Sequence, residues 1–173
     1  MSMSDVPTRA VVIGAGNLLL GDDGFGLAVL ELLRAQWTLA PGVELVDGGT
    51  WGMSLLPSIE SADALIIIDA IDVGWPPGTP VVLEREDIPR FLGVKLSTHQ
   101  IDLRETLAVA ELRGRLPWHT VAIGAQPLTL DTGVALSEPV AARVESTAEL
   151  VIARLWRWGW QCRRRLEARA CTS

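Results

Sequence analysis

The chain has 173 residues, 49% hydrophobic and 21% charged, enough to bury one substantial core and too few for two comfortable domains. Its formal charge of −6 is uneven: residues 1–150 carry nine Lys/Arg and twenty Asp/Glu, a balance of −11, whereas residues 151–173 carry six Arg and one Glu, a balance of +5. An acidic body argues against nucleic acid as a partner, and no apolar run approaches the ~20 residues of a membrane helix. The opening "MSMSDVPTRA" lacks the charged and apolar regions of a signal peptide. We therefore expect a cytoplasmic protein.

Short β-branched runs alternate with longer helical patterns, which predicts βαβ units and a mostly parallel sheet. The first strand is read at Ala10–Gly14 and the first helix over Gly24–Trp37, with Leu27, Leu30 and Leu33 near one face. Val43–Asp47 reads as a second strand, followed by the loop "GGT" and a short helix "WGMSLLPSI". "ADALIIIDAI", apolar on both faces, is expected to be a central strand. After the proline-rich turn "VGWPPGT" come a fourth strand "PVVLE" and a short helix or loop "EDIPRFLG".

Ser97 and Thr98 offer N-caps for a helix through about Arg113, and "HTVAIGAQP" reads as the fifth strand. A single long helix is predicted over Ser137–Trp156, with Val140, Val144, Ala148, Val151 and Leu155 at helical spacing. The expected fold is α/β: one three-layer α/β/α domain with a core over about residues 9–155 and a basic tail from 156 to 173. That tail reads as a solvated, frayed helix end. Cys162 and Cys171 both lie in it and read as free thiols.

The stretch "GAGNLLLGDDGFG" begins like a nucleotide-binding turn, but Leu19 stands where the third glycine of GxGxxG belongs. No Gly-Lys-Ser/Thr follows, so a P-loop is excluded. Asp22 and Asp23 fall at the start of a helix, where the backbone dipole favours negative charge and an anionic ligand would be repelled. Asp22 reads as the helix cap. Adjacent residues at a helix start point about 100° apart, so the pair is poorly placed to share a proton as in an aspartic protease. Asp47 ends a strand, as a ribose-binding acid would, but lies about thirty residues beyond the glycine loop where ~20 are expected.

Asp69 ends the apolar strand "LIIID", where ligands bind in open α/β sheets, and His99 stands at a helix start. Asp23, Asp69 and His99 are expected at one edge of the sheet. Two carboxylates and an imidazole suit a borderline divalent ion such as nickel or zinc. His119 reads as an ordinary surface residue at a strand start. Trp51, Trp75 and Trp118 lie in or beside loops, as an exposed recognition surface or as half-buried packing.

The segment matches the pattern GxGNxLxxDDGxG through Gly14, Gly16, Asn17, Leu19, Asp22, Asp23, Gly24 and Gly26. With "DGGTWGMSLL", "LIIIDAID", "PGT", "STHQIDL" and "IGAQP" in order, the chain resembles the nickel–iron hydrogenase maturation endopeptidases over roughly residues 9–155. The resemblance implies a metal-dependent endopeptidase that removes the C-terminal extension of a hydrogenase large-subunit precursor after nickel insertion. It also implies Asp23, Asp69 and His99 as catalytic metal ligands, with nickel supplied by the nickel-loaded precursor and zinc as a surrogate. Asp47, Gly48, Gly49 and Thr50 are the expected substrate-binding residues, lining a groove for an extended tail. No Ser, Cys or Lys nucleophile is placed by motif, which argues against an acyl-enzyme. The rival readings are a nickel-sensing chaperone that does not cut and a nucleotide-binding oxidoreductase. A monomer is the simplest expectation.

Overall fold

Neighbouring residues in the first strand point to opposite faces of a sheet, and both faces are apolar. Ala10 and Val12 enter one buried cluster while Val11 and Ile13 enter another, so the strand is packed on both sides. The computed structural model describes residues 7–49, 52–88 and 100–165, and these form a three-layer α/β/α arrangement.

The main sheet contains β1 (Ala10–Ala15), β3 (Val43–Gly49), β4 (Ala64–Ala70), β5 (Pro80–Glu84) and β6 (His119–Ala125). Its order is β3-β1-β4-β6-β5, with β5 alone antiparallel to its neighbour. The predicted central strand is β4, buried along its whole length between β1 and β6. The chain leaves β1 for β3 on one side and then crosses to β4 on the other, a reversal that opens a crevice at the carboxyl ends. Between β1 and β3 the register slips: Gly14 faces Asp47 and Ala15 faces Gly49, leaving Gly48 as a bulge.

Helix α1 (Phe25–Gln36) covers one face with Phe25, Val29, Leu30 and Leu33, together with the helix over Val144–Arg157. On the opposite face lie α2 (Leu56–Glu60) and α3 (Gln100–Leu112), which contribute Ile59, Leu107 and Ala110. Helix α1 approaches the sheet at glycine distance. A Cβ on Gly26 would lie 2.2 Å from the Ile68 carbonyl oxygen and 2.4 Å from that of Ala15, and one on Gly14 would lie 2.7 Å from the Gly26 oxygen. Gly26 therefore supplies the close packing that a third glycine gives in a dinucleotide fold, seven residues later than Leu19.

Two expectations fail near the C-terminus. The single last helix is two: α4 (Glu138–Ala141) and α5 (Val144–Arg157), separated at Ala142–Arg143. Val140 and Val144 keep helical spacing across the break, so the apolar pattern carries no mark of it. What fixes α4 is tertiary: Gly78 packs so closely on Pro139 that a Cβ there would lie 2.4 Å from its carbonyl oxygen, and Ser137 is hydrogen-bonded to Asp22.

Nor is the tail a frayed helix end through residue 165. Gly159 reverses the chain at φ +104°, burying Trp160 and Cys162 in the α1 cluster. Arg163–Arg164 (β7) then pair antiparallel with Trp37–Thr38 (β2). Trp156 Nε1 donates to the Cys162 carbonyl at 2.8 Å. The Cys162 thiol is free, as expected, and burial raises its pKa. Cys171, Ser97 and Thr98 lie outside the described residues, as does most of "EDIPRFLG".

Across the edge strand, Arg154 donates from both terminal nitrogens to Glu84, at 2.8 and 2.6 Å. This fork holds the Glu84 carboxyl below its ordinary range. Its stabilisation is present above the pH at which unfolded Glu titrates, about 4.3, and is lost as pH falls through the lower native value. Because the Glu84 side chain is 47% exposed, solvent screening limits the pair to about 0.5 kcal/mol. Glu84→Gln should lower the urea midpoint at pH 7 and converge on the parent chain in melts at pH 3. Gly26→Ala should be far more severe, about 3 kcal/mol in urea unfolding, because the obstructing atoms are backbone.

Candidate active site

Leaving β1, the chain makes a tight loop before α1. Asn17 accepts from Leu19 N through Oδ1 at 2.9 Å, an Asx turn, and its own N–H donates to Asp23 Oδ2 at 2.9 Å. Gly16, at φ +119°, lets the loop close: a Cβ there would lie 1.7 Å from the Asp23 carbonyl oxygen. The outcome is a 3₁₀ turn, Gly21–Gly24, that buries both aspartates and packs against β4. Asp69 ends β4, also buried, with Oδ1 accepting from Ala70 N at 2.8 Å. Asp23, in the turn after β1, and Asp69, near the end of β4, thus stand at the carboxyl edge of adjacent strands.

Beside them is a small pocket of about 10 Å³, room for a single water, lined by Ala15, Gly16, Gly48, Gly49, Gly52, Leu55 and Leu103. The bulge shapes it. Gly48 is buried, and a Cβ there would lie 2.6 Å from Ile13 Cγ2, so only glycine fits. Asp47 is exposed at the same strand end, one residue before the bulge. His99 and Thr50 lie outside the described residues, as does Trp51. Among the described residues no three His, Cys, Asp or Glu form a metal-binding group.

Asp22 is not the helix cap. Gly24 precedes α1 without any side-chain cap bond, and the Asp22 carboxylate turns instead toward residues 128–137. Gln126 is a second residue whose part was not legible, although "IGAQP" marks its position. Its Oε1 accepts from Val73 N at 2.8 Å and Trp75 N at 3.1 Å, and its Nε2 donates to Asp72 Oδ1 at 2.8 Å. One buried amide at the end of β6 thereby fixes the loop that follows Asp69 and holds out the half-exposed Trp75. A buried amide in an apolar strand end is the signal that could have found it.

Other singled-out residues lie elsewhere. His119 is exposed at the start of β6, with its ring 5.4 Å from that of Trp158. Trp118 is exposed, with the Arg85 guanidinium 4.7 Å over its ring. Both are at the amino end of the sheet, away from the acids.

The fold and site define an α/β protein with carboxylates buried at the ends of its central strands. The family model for hydrogenase maturation protease matches residues 27–154. The chain is 44% identical over 151 residues to a hydrogenase expression/formation protein of Cupriavidus necator, covering 86% of this chain and 75% of that one. It is 36% identical over 148 residues to the hydrogenase 2 maturation protease of Escherichia coli, covering 85% and 90%. The solved hydrogenase maturating endopeptidase from E. coli superposes with a TM-score of 0.86 at 35% identity, covering 91% of this chain and 98% of its own. This chain belongs to the hydrogenase maturation protease family and is a hydrolase acting on peptide bonds.

Gln126→Leu should free residues 72–78, at a cost of about 2 kcal/mol for the stranded donors. Limited proteolysis checks this: new nicks should fall within 72–78 while the β1 and β4 peptides stay protected.

Proposed function

We propose that this protein removes the C-terminal extension of a [NiFe]-hydrogenase large-subunit precursor after nickel has been inserted. The observation that carries the reading is the pair of buried carboxylates, Asp23 and Asp69, at adjoining strand ends beside a small glycine-lined pocket in a chain of this family. An extended peptide needs a wall of backbone without intervening side chains, and Gly48 and Gly49 offer one. Asp47 and Thr50 flank them in sequence.

Asp23 and Asp69, with His99, are the groups that would hold the ion. Oxygen and imidazole donors without thiolate suit nickel, with zinc as a surrogate. When bound, the ion supplies Lewis acidity at the scissile amide. The backbone N–H groups of Asn17 and Ala70 steady one oxygen of each acid, so the carboxylates enter the reaction oriented. His99 directly precedes α3 in sequence, and Leu103 of that helix borders the same pocket, which supports its place in the set. The ion belongs to the substrate, and cleavage then reports that loading is complete.

The test is the mass of a nickel-loaded precursor and of a nickel-free one, each incubated with this protein. Loss of a C-terminal peptide from the loaded sample alone is expected. A stable complex with an uncut, loaded precursor would overturn the reading in favour of a binding module. Asp23→Ala, Asp69→Ala and His99→Ala should each slow cleavage about a thousandfold while leaving the circular-dichroism spectrum unchanged.

A further inference from the structure

Asp22 and Asp23 are adjacent, yet their side chains do different work. Asp22 is fully buried and accepts four hydrogen bonds from one loop. Its Oδ2 accepts from Leu128 N at 2.8 Å, Thr129 N at 3.2 Å and Ser137 Oγ at 2.8 Å, and its Oδ1 accepts from Ser137 N at 2.7 Å. The two segments are also joined through the main chain. Gly21 N donates to the Gly133 carbonyl at 2.8 Å, Gly133 N to that of Leu19 at 2.9 Å, and Asp22 N to that of Thr129 at 3.2 Å. Residues 17–22 and 128–137 therefore behave as one piece, and the piece continues directly into Asp23.

Four aliphatic side chains stand out from this piece, alongside the exposed Asp131 and Thr132. Leu18, Leu19, Leu128 and Val134 are 58, 62, 57 and 83% exposed. Single exposed aliphatic residues are ordinary; four on two joined loops, running into a catalytic turn, form a surface with a use. With Leu128 and Val134 both turned outward, hydrogen bonds tie the loop inward together with Leu136, which packs against the core. A carboxylate serves there better than a neutral acceptor, because it takes four donors at once and each bond is charge-assisted.

We propose that Asp22 is a positioning residue: by clamping residues 128–137 to the turn that presents Asp23, it fixes an apolar lip of Leu18, Leu19, Leu128 and Val134 that bears on an apolar surface of the large-subunit precursor. The inference rests on the proposed function for its occupant. It assigns the first acid of the pair to recognition and the second to the reacting centre. A lip ordered before the substrate arrives spares the complex that ordering cost, so the clamp acts on substrate affinity.

Steady-state cleavage of the nickel-loaded precursor tests it, with amide hydrogen exchange on the same variants. Asp22→Asn keeps the shape but turns N–H groups toward donors. It should speed exchange at Leu128, Thr129 and Ser137 about tenfold, leaving the amides of β1 and α1 unchanged. Its KM should rise about tenfold with kcat within about twofold. The double substitution Leu128→Ser/Val134→Ser leaves the clamp intact and should raise KM comparably without altering exchange. Loosened exchange at an unchanged KM would overturn the proposal, as would a fall in kcat at constant KM. Should Asp22→Asn fail to fold, the double substitution decides, and an unchanged KM there overturns the lip. A parent chain that leaves the precursor intact refutes the proposed function itself, whereas one that cuts with KM indifferent to these substitutions refutes only the clamp.

Discussion

The contact on which this architecture depends is the seating of the first turn of α1 against the carboxyl ends of β1 and β4. Gly26 has no room for a side chain between the Ile68 and Ala15 carbonyls, and Gly14 has none against Gly26. Backbone-to-backbone approach at this point sets the height of the helix over the sheet. The preceding 3₁₀ turn is consequently pressed onto β4, which brings Asp23 and Asp69 to one edge although 46 positions separate them. Burying carboxylates is costly, and the cost is met by main-chain donors: Asn17 for Asp23, Ala70 for Asp69 and the 128–137 loop for Asp22.

Much of this was readable because it is written in local chemistry. The strands announce themselves through β-branched runs, and burial on both faces of Ala64–Ala70 follows from the absence of alternation in "ALIIIDA". The acids at the strand ends were legible because a charged residue closing an apolar run has few places to go. What the chain did not disclose was decided at long range. The start of α4 is fixed by Asp22 and Gly78, far away in sequence, acting on Ser137 and Pro139. The packed tail is hidden in the sequence because arginines dominate its composition, while Trp160 and Cys162 do the anchoring. Asp22 reads as a cap in the sequence because helix-start acids usually are; only the 128–137 loop, over a hundred residues later, shows what its oxygens accept.

Two polar clamps of similar design flank the acids. Asp22 holds the loop after β6, and Gln126 holds the loop after β4. Each is a single buried side chain gathering several main-chain donors, which rigidifies a loop without needing an apolar core beneath it. Loops of this kind are free to turn their apolar residues outward, as Trp75, Leu128 and Val134 do. Rigid loops with greasy exteriors are suited to meeting a folded protein rather than a small metabolite.

The bulge at Gly48 carries a consequence for how the molecule meets copies of itself. Among the described strands β3 is an edge of the main sheet, and a seven-residue edge strand is a template on which another chain can stack. The extra residue breaks the repeat of that edge and twists its last two positions away from the rest, so no straight strand can pair along its full length. A straight strand laid in register along Val43–Asp47 would therefore lose its partners where the glycines begin.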